Sequence, residues 1–242
     1  MTKTQNLKPI IESNRKTITA MLYSADSVKR LNNINWLRHE ISFSEPRILF
    51  HLSSKEQLPY LDFNNMSNIG PTYDYIVNNP NEPIDTAAIL RIHQMLCRNT
   101  NIIGTMFRTS NKILEITLND GCRLHAPSPH EIGFLLNEIL YKINSNPKNV
   151  LHNAFDIHYE LIALQPFDDF NKRTARLIMN WVLIQGGYRP IVFNKRGDKQ
   201  DYRKAIANRA NGQIKKYYEY MESCLVRTQR EIISQIKKSK VL

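Results

Sequence analysis

The chain has 242 residues, of which 42% are hydrophobic, enough to form a core and to exclude a disordered polypeptide. Its 33 Lys and Arg residues outnumber its 22 Asp and Glu residues and give a net charge of +11, which suits an anionic partner such as a nucleotide, a nucleic acid or an acidic protein surface. The excess charge is spread along the sequence. It therefore identifies no partner by itself.

Cysteine usage and hydropathy exclude several further classes. The three cysteines are odd in number and form no C-x-x-C pair, which argues against a disulfide framework and a zinc site. The apolar runs stay short of the roughly 20 residues of a membrane span, and the N-terminus lacks the apolar segment of a signal peptide. We expect a protein without membrane contact, cytoplasmic or delivered into another cell by a non-classical secretion route.

The N-terminal third predicts helix followed by loop. Apolar spacing favours a packing helix over 17–31, with three residues directed inward: Ile18, Leu22 and Val28. The stretch 44–82 is rich in Pro, Asn and Ser, which indicates loop with short helical pieces.

Helical patterns then dominate up to residue 185. They lie at 85–98, at 129–143, at 150–164 and from about 171 or 173 to 185. Asp85 is the expected N-cap of the first, and Gly186 with Gly187 is expected to end the last. One β element interrupts them, because "KILEITLNDGCRLHAP" alternates at 113–118, turns at Asn-Asp-Gly and extends again before Pro127, as a hairpin does. The whole predicts a mainly α fold.

The segment "LQPFDDFNKRTARLIMNW" at 164–181 joins two of these helices and raises an electrostatic question. Lys172, Arg173 and Arg176 fall in the first turns of the second helix, whose N-terminus already carries partial positive charge and free N–H groups. A bound polyphosphate would remove this conflict.

Two aspartates precede these cations. Asp169 can hold Mg²⁺ against the same phosphates, because Mg²⁺ is usually bound by one or two carboxylates with phosphate oxygens and water. The alternative is that Asp168 and Asp169 only form ion pairs with the neighbouring cations on a solvated surface.

Within this segment, "QPFDDFNKRTAR" resembles the signature loop of the Fic family, H-[PX]-F-x-[DE]-G-N-G-R-x-x-R, and its N-K-R form resembles the Doc branch. Further similar features are His158, seven residues before the motif, "GTMFRTS" from Gly104, the hairpin, and "DYRKAIANRA" from Asp201. The similarity covers about 85–222. The matching motif positions are Pro166, Phe167, Asp169, Asn171, Arg173 and Arg176.

The resemblance implies a Fic-type helical domain with a short β-hairpin flap. We divide the chain into an N-terminal helical extension and loop, the Fic-like domain, and a C-terminal helix with a basic tail, at 1–84, 85–222 and 223–242. The implied activity is transfer of AMP from ATP to a protein hydroxyl, with ATP and Mg²⁺ as cofactors. The target protein would align on the flap at 113–125 by β-augmentation.

The resemblance also implies roles for single residues. Asp169 would bind Mg²⁺, and the backbone from Phe170 through Lys172 would line an anion hole together with Asn171. Arg173 and Arg176 would hold the outer phosphates, and Phe167 would anchor the loop in the core. The implied catalytic set is Gln165, Asn171 and Arg173.

Gln165 occupies the position of the family's catalytic histidine. A glutamine amide cannot act as a general base, and loss of a general base lowers a rate by roughly 10²–10⁴-fold. The chain would then be a weakened enzyme, a nucleotide-binding pseudoenzyme, an enzyme with another base or a deliberately inactivated variant. His158 lies about 10 Å away along its helix and is expected to be a packed histidine; His125 and His130, near the flap, are the other candidates.

Three further departures bear on shape and regulation. Phe170 replaces a glycine, which predicts a loop of altered shape or a ring swung outward. Lys172 favours a Doc-like protein kinase as an alternative activity. The nearest match to the family's inhibitory helix, [ST]-x-x-x-E-[GN], is Thr19 to Ser24, where Tyr23 replaces the glutamate that would pair with Arg176.

Two non-enzymatic functions are also considered, of which the first stays open and the second is disfavoured. A non-catalytic Fic-like module would use the flap and the positive surface to hold a protein partner. Specific nucleic-acid binding lacks any base-reading motif and is not expected. The resemblance fits a bacterial origin, and the sequence leaves the oligomeric state open.

Overall fold

The structure, a computed structural model, describes residues 6–42, 68–110, 116–117, 123–193 and 198–238. These residues are mainly helical. The helices are α1 (Lys8–Ser24), α2 (Ser27–Ser42), α3 (Ile69–Asn78), α4 (Thr86–Leu96), α5 (Ile132–Asn144), α6 (Val150–Leu164), α7 (Asn171–Gln185), α8 (Asp198–Ala210) and α9 (Ile214–Lys238). A 3₁₀ turn, Pro129–Glu131, precedes α5.

Two short strands lie between α4 and α5. They are β1 (Ile116–Thr117) and β2 (Arg123–Leu124), which pair antiparallel with Ile116 opposite Leu124. The predicted turn at 119–121 and the start of the predicted first strand lie outside the described residues.

The predicted single helix over 17–31 is wrong, because the chain breaks between α1 and α2. Ala25 is extended, at φ −76° and ψ 147°, and Asp26 caps α2 by accepting the backbone N–H of Lys29 at 2.8 Å. Ile18 is buried and Leu22 packs against the core, as expected, while the side chain of Val28 lies outside the described part. Asp26 is an N-cap signal, and it outweighs the apolar spacing across it.

The other predicted helices are confirmed. Asp85 caps α4 by accepting the N–H of Ala88 at 2.8 Å, and Gly186 with Gly187, at φ 75°, ends α7. Of the predicted loop 44–82, the described part contains α3, while 43–67 lies outside the described residues. The expected apolar residues of α6 are all buried: Leu151, Ala154, Phe155, Leu161 and Ile162.

The centre of the core is the pair α6 and α7. These helices pack on each other extensively, and α7 is buried around most of its circumference, with Ile178, Trp181 and Leu183 fully enclosed. A helix that is buried on all sides belongs to the interior of a domain. The connection between α6 and α7 is therefore held at both ends by core helices, which is a rigid place for a site.

The terminal helices join the same core. Ile11 and Ile18 of α1 and Ile232 of α9 belong to one hydrophobic cluster with the central helices. Because α9 runs without a break through residue 222, the predicted boundary at 222/223 falls inside a helix, and the domain limits stay a prediction. Within the described residues, no helix combines the length and the apolar character that crossing a membrane requires.

Candidate functional site

The loop between α6 and α7 is bracketed by two residues in the left-handed conformation. Gln165 has φ 45° and ψ 59°, and Phe170 has φ 57° and ψ 10°. This conformation costs a residue other than glycine about 1–2 kcal/mol, so the surroundings must hold it in place. The family's glycine at position 170 is explained by this backbone, which Phe170 adopts in spite of its side chain.

Asn171 holds the loop closed. Its Oδ1 accepts the backbone N–H of Phe167 at 2.9 Å, and its Nδ2 donates to the Phe167 carbonyl at 2.7 Å. The side chain of Phe167 is fully buried, as expected for the loop's anchor. The Asn171 amide thus fixes the loop from within, which leaves the backbone N–H groups as the candidate lining of an anion hole.

His93 packs against the core side of the loop. The sequence did not predict it as a site residue. Its ring stacks on Phe167 with centroids 3.6 Å apart and planes within 4°. Its Nε2 lies 3.1 Å from the Asp169 carbonyl and its Nδ1 lies 3.2 Å from the Gly104 carbonyl. Burial lowers the pKa of His93, so the ring is neutral and donates to one of these carbonyls. The only signal in the sequence was a polar residue on the apolar face of α4.

Asp169 is the candidate metal ligand. Its carbonyl faces His93, while its carboxylate is exposed to solvent and Oδ1 accepts the N–H of Phe170 at 2.6 Å. Within the described residues no group of three or more His, Cys, Asp or Glu side chains is assembled for a metal. A single exposed carboxylate beside an anion-attracting helix end fits Mg²⁺, which takes its other ligands from phosphates and water. The neighbouring Asp168 accepts a hydrogen bond from the Ser110 hydroxyl at 3.4 Å.

Arg173 and Arg176, two of the three cations at the start of α7, pack on aromatic rings. The guanidinium of Arg173 lies 4.6 Å from the ring centroid of Phe170, and Lys172 is exposed. The expectation that Phe170 swings outward is wrong, because its side chain is only 5% exposed and lies beneath Arg173. Arg176 lies 4.8 Å from the ring centroid of Tyr202 and 5.1 Å from that of Phe193. Such cation–π contacts contribute about 0.5–2 kcal/mol each and stabilise positive charge where the helix end does not.

Gln165 ends α6 and lies at the predicted catalytic position. Its side chain is buried, and Nε2 donates to the Ile162 carbonyl of the same helix at 2.6 Å. Its backbone carbonyl accepts from Nε of Arg108 at 2.7 Å. The amide is therefore oriented by the end of its own helix.

Arg108 connects this loop with both ends of the hairpin segment. Its guanidinium donates to the carbonyls of Gln165, Ser110 and Pro127, and its backbone N–H donates to the Pro166 carbonyl at 2.9 Å. Burial lowers the pKa of Arg108, yet a guanidinium stays charged. From the sequence, Arg108 was recognisable only as part of the "GTMFRTS" stretch, and its bridging role was not predicted.

The other histidines considered as bases occupy different surroundings. His158 is completely buried in α6 and hydrogen-bonds Tyr202 and Tyr217, which confirms a packed histidine. His125 follows β2 and His130 lies in the 3₁₀ turn, both with exposed side chains. Their use as bases stays a prediction. The candidate inhibitory stretch ends α1, and its Tyr23 is 87% exposed.

The structure thus combines a mainly helical fold with a loop between its two central helices that is followed by two guanidinium groups packed on aromatic rings. Residues 83–183 match the family model described as Fic/DOC family, and this segment is a Fic/DOC domain. Over 156 residues, 62% of the chain, the sequence is 31% identical to a protein adenylyltransferase Fic of Aedes aegypti. The alignment covers 29% of that relative, so the chain spans less than a third of its length.

Solved structures share the fold. A Fic domain containing signaling protein from Bacteroides thetaiotaomicron superposes with a TM-score of 0.75 at 19% identity, over 94% of this chain and 98% of that one. IbpAFic2, solved covalently tethered to Cdc42, superposes with a TM-score of 0.55 at 17% identity, over 89% of this chain and 69% of that one. At these identities the likeness establishes the mainly helical Fic fold.

Proposed function

We propose that this chain binds ATP with Mg²⁺ at the α6–α7 loop and descends from enzymes that transfer AMP to a protein hydroxyl, with activity weakened or lost at Gln165. The observation that carries this proposal is the concentration of Arg173 and Arg176 at the N-terminal end of α7, each supported by an aromatic ring. A helix N-terminus with two supported guanidinium groups is a site for several phosphate groups.

The phosphates would be divided between two parts of the loop. The backbone N–H groups at the start of α7 would bind the α- and β-phosphates, because the left-handed Phe170 turns the chain into the helix there. Arg173 and Arg176 would bind the outer phosphates. Asp169 would hold Mg²⁺, which supplies neutralisation of phosphate charge when bound.

In the reaction, the oxygen of a target hydroxyl attacks the α-phosphorus of ATP. A new oxygen–phosphorus bond joins AMP to the target, the α–β phosphoanhydride bond breaks, and pyrophosphate leaves. The hydroxyl must also lose its proton. Gln165 can accept a hydrogen bond from that hydroxyl through its amide oxygen but cannot take the proton. The proton must therefore pass to solvent water, which limits the rate.

The target protein would be held by the flap at 113–125. Support comes from the antiparallel strand pair β1 and β2 and from IbpAFic2, which has been solved tethered to Cdc42. Arg108 bridges both ends of this segment to the carbonyl of Gln165, so a target strand added to the flap would lie in a fixed register to position 165.

The test compares the unaltered chain with Gln165→His. Both are incubated with α-labelled ATP, Mg²⁺ and a panel of candidate proteins, after ATP binding has been measured by calorimetry. We expect both to bind ATP and Gln165→His to transfer label. A γ-labelled reaction detects the kinase alternative. If neither form binds ATP, the proposal is overturned; ATP binding without transfer by either form favours the non-catalytic module.

A further inference from the structure

His158 occupies the centre of a buried hydrogen-bond chain that the proposed chemistry does not use. The residue has no exposed surface. Its Nδ1 lies 2.9 Å from the Tyr217 hydroxyl, and its Nε2 lies 3.0 Å from the Tyr202 hydroxyl. The Tyr217 hydroxyl in turn donates to the carbonyl of Phe155 at 2.7 Å. The chain thus begins at Tyr202 on α8 and ends on the backbone of α6.

The direction of every hydrogen bond in this chain is determined. The Tyr217 hydroxyl donates its one proton to the Phe155 carbonyl. Its oxygen must therefore accept the hydrogen bond from Nδ1–H of His158. The neutral ring then presents a lone pair at Nε2. This lone pair accepts the hydroxyl proton of Tyr202. Because these three hydrogen bonds run in one direction, the ring plane of His158 and the position of the Tyr202 hydroxyl are fixed together.

The charge state of the ring agrees with this arrangement. Burial, with a smaller contribution from the positive charge of Arg176, lowers the pKa of His158 to about 3. The ring is therefore neutral near pH 7. A protonated ring would lose its acceptor for Tyr202 and would place a second positive charge near Arg176.

The two rings beneath Arg176 are both packed around His158. We call Tyr202 and Phe193 the aromatic pair; their ring centroids are 5.5 Å apart and their planes are inclined by 71°. Phe193 lies nearly parallel to His158, at 16° and 6.3 Å, while Tyr202 is bonded to it. The guanidinium of Arg176 lies within 5.1 Å of both centroids of the pair. His158 therefore stands directly behind the surface on which Arg176 rests.

We propose that His158 is a positioning residue, which holds Tyr202 through its Nε2 and thereby fixes the aromatic pair and the guanidinium of Arg176 for the outer phosphates of a nucleoside triphosphate. The inference rests on the proposed nucleotide site. It adds that selectivity for ATP over AMP depends on a hydroxyl that does not touch the ligand. The free energy involved is that of holding Arg176 in one orientation before the phosphates arrive.

The test uses binding of ATP and of AMP to the full chain with Mg²⁺, because AMP lacks the outer phosphates. ATP affinity is measured by calorimetry and AMP affinity by displacement of bound ATP. Tyr202→Phe removes the hydroxyl and keeps the ring. We expect it to weaken ATP roughly three- to tenfold, the value of one buried hydrogen bond, and to leave AMP within about twofold. Tyr218→Phe is the matched control, because it removes a tyrosine hydroxyl that bonds Asp156 instead.

A double-mutant cycle tests the route through Arg176. Arg176→Gln should lower the ratio of ATP to AMP affinity, and Tyr202→Phe should lower it no further in that background. His158→Gln should reproduce the change of ratio seen in Tyr202→Phe, with thermal unfolding showing that each variant is folded.

Two results overturn the inference and are distinguishable. Equal losses of ATP and AMP affinity in Tyr202→Phe, or additive losses in the double variant, overturn it while the nucleotide site stands. Absence of ATP binding by the unaltered chain overturns the proposed function and this inference with it.

Discussion

Two buried histidines lie behind the two halves of the proposed site, and their hydrogen bonds differ. His93 stands behind Asp169, in the proposed metal-binding half, and faces two carbonyl oxygens and the Cys97 thiol, whose Sγ lies 3.4 Å from Nε2. His158 stands behind Arg176, the phosphate-binding half, and faces one acceptor and one donor hydroxyl. A neutral imidazole has one N–H and one lone pair, so it satisfies both hydroxyls at His158 but only one of the two carbonyl oxygens at His93.

This difference shows what each ring contributes. His158 makes two compatible hydrogen bonds, which fix its tautomer and the orientation of its ring. His93 can donate to only one of its two carbonyls, its other ring nitrogen can accept a weak hydrogen bond from the Cys97 thiol, and its ring stacks in parallel on Phe167 with the centroids 3.6 Å apart. The metal-binding half is thus held mainly by packing, and the phosphate-binding half by a chain of hydrogen bonds.

The largest expected effect comes from the residue between the two halves. Gln165→His should raise AMP transfer roughly 10²–10⁴-fold, because it supplies a general base between the two proposed halves of the site. The measurement is the initial rate of α-label transfer at saturating ATP. Gln165→Asn, which restores no base, is the control. ATP binding without any gain in rate would mean that one half is not correctly placed.

The contributions of the two proposed halves to AMP transfer can be measured separately in the Gln165→His background. Asp169→Asn should abolish the dependence of transfer on Mg²⁺, whereas Arg176→Gln should keep that dependence and raise KM for ATP. Each should reduce kcat/KM by about 10²–10³-fold, the range for removing one charge-stabilising group. Rates are compared over a Mg²⁺ titration. A retained Mg²⁺ dependence in Asp169→Asn would remove Asp169 from the metal site.

The next prediction concerns stability. His158→Phe breaks two hydrogen bonds and leaves the Tyr202 hydroxyl without its acceptor, so it should lower the free energy of unfolding by about 2–4 kcal/mol. His93→Phe breaks one hydrogen bond to a carbonyl and the weak contact with the Cys97 thiol but keeps the stack on Phe167, so the loss should be about 1 kcal/mol. Urea unfolding of both variants at pH 7 measures the difference. An equal or larger loss for His93→Phe would contradict the comparison.

The last prediction concerns the pH dependence of stability. The pKa of His158, about 3 in the folded chain, lies below its ordinary value of 6.5, so only the unfolded chain takes up the proton as pH falls from 6.5. Its contribution to stability is complete above pH 6.5 and decreases toward pH 3. Between pH 7 and pH 5 the unaltered chain should lose about 2 kcal/mol more than His158→Gln.

Urea unfolding at both pH values gives this difference directly. Identical pH dependence in the two proteins would mean that His158 titrates in the folded chain much as it does in the unfolded one. Tyr202→Phe is a useful companion, because it keeps the buried imidazole and should keep most of the pH dependence.

Local signals predicted most of the secondary structure. The helices α4 to α7 follow from apolar spacing and from caps such as Asp85, which act over a few residues of sequence. The same kind of signal at Asp26 was overlooked, and the break between α1 and α2 was missed for that reason. The signature loop was recognised through its resemblance to a family, and the roles of its residues stay predictions.

The supporting contacts could not be predicted, because they join distant parts of the chain. Arg108 meets Gln165 across 57 residues of sequence, and His93 meets Asp169 across 76. The spacing of apolar residues, which acts over a few positions, cannot predict contacts between residues so far apart in sequence. Phe170 is a different case: the sequence predicts a loop of altered shape or an outward ring. The ring is instead buried beneath Arg173, which gives the loop a support that glycine lacks.

The amide of Asn171 has a consequence for the speed of ligand binding. Its two opposed hydrogen bonds to Phe167 close the loop without help from any bound molecule. The loop is thus preorganised, and a nucleotide can bind to it without a rearrangement of the backbone. We expect association to be a single fast step, governed by diffusion and by attraction between the phosphates and the positive helix end.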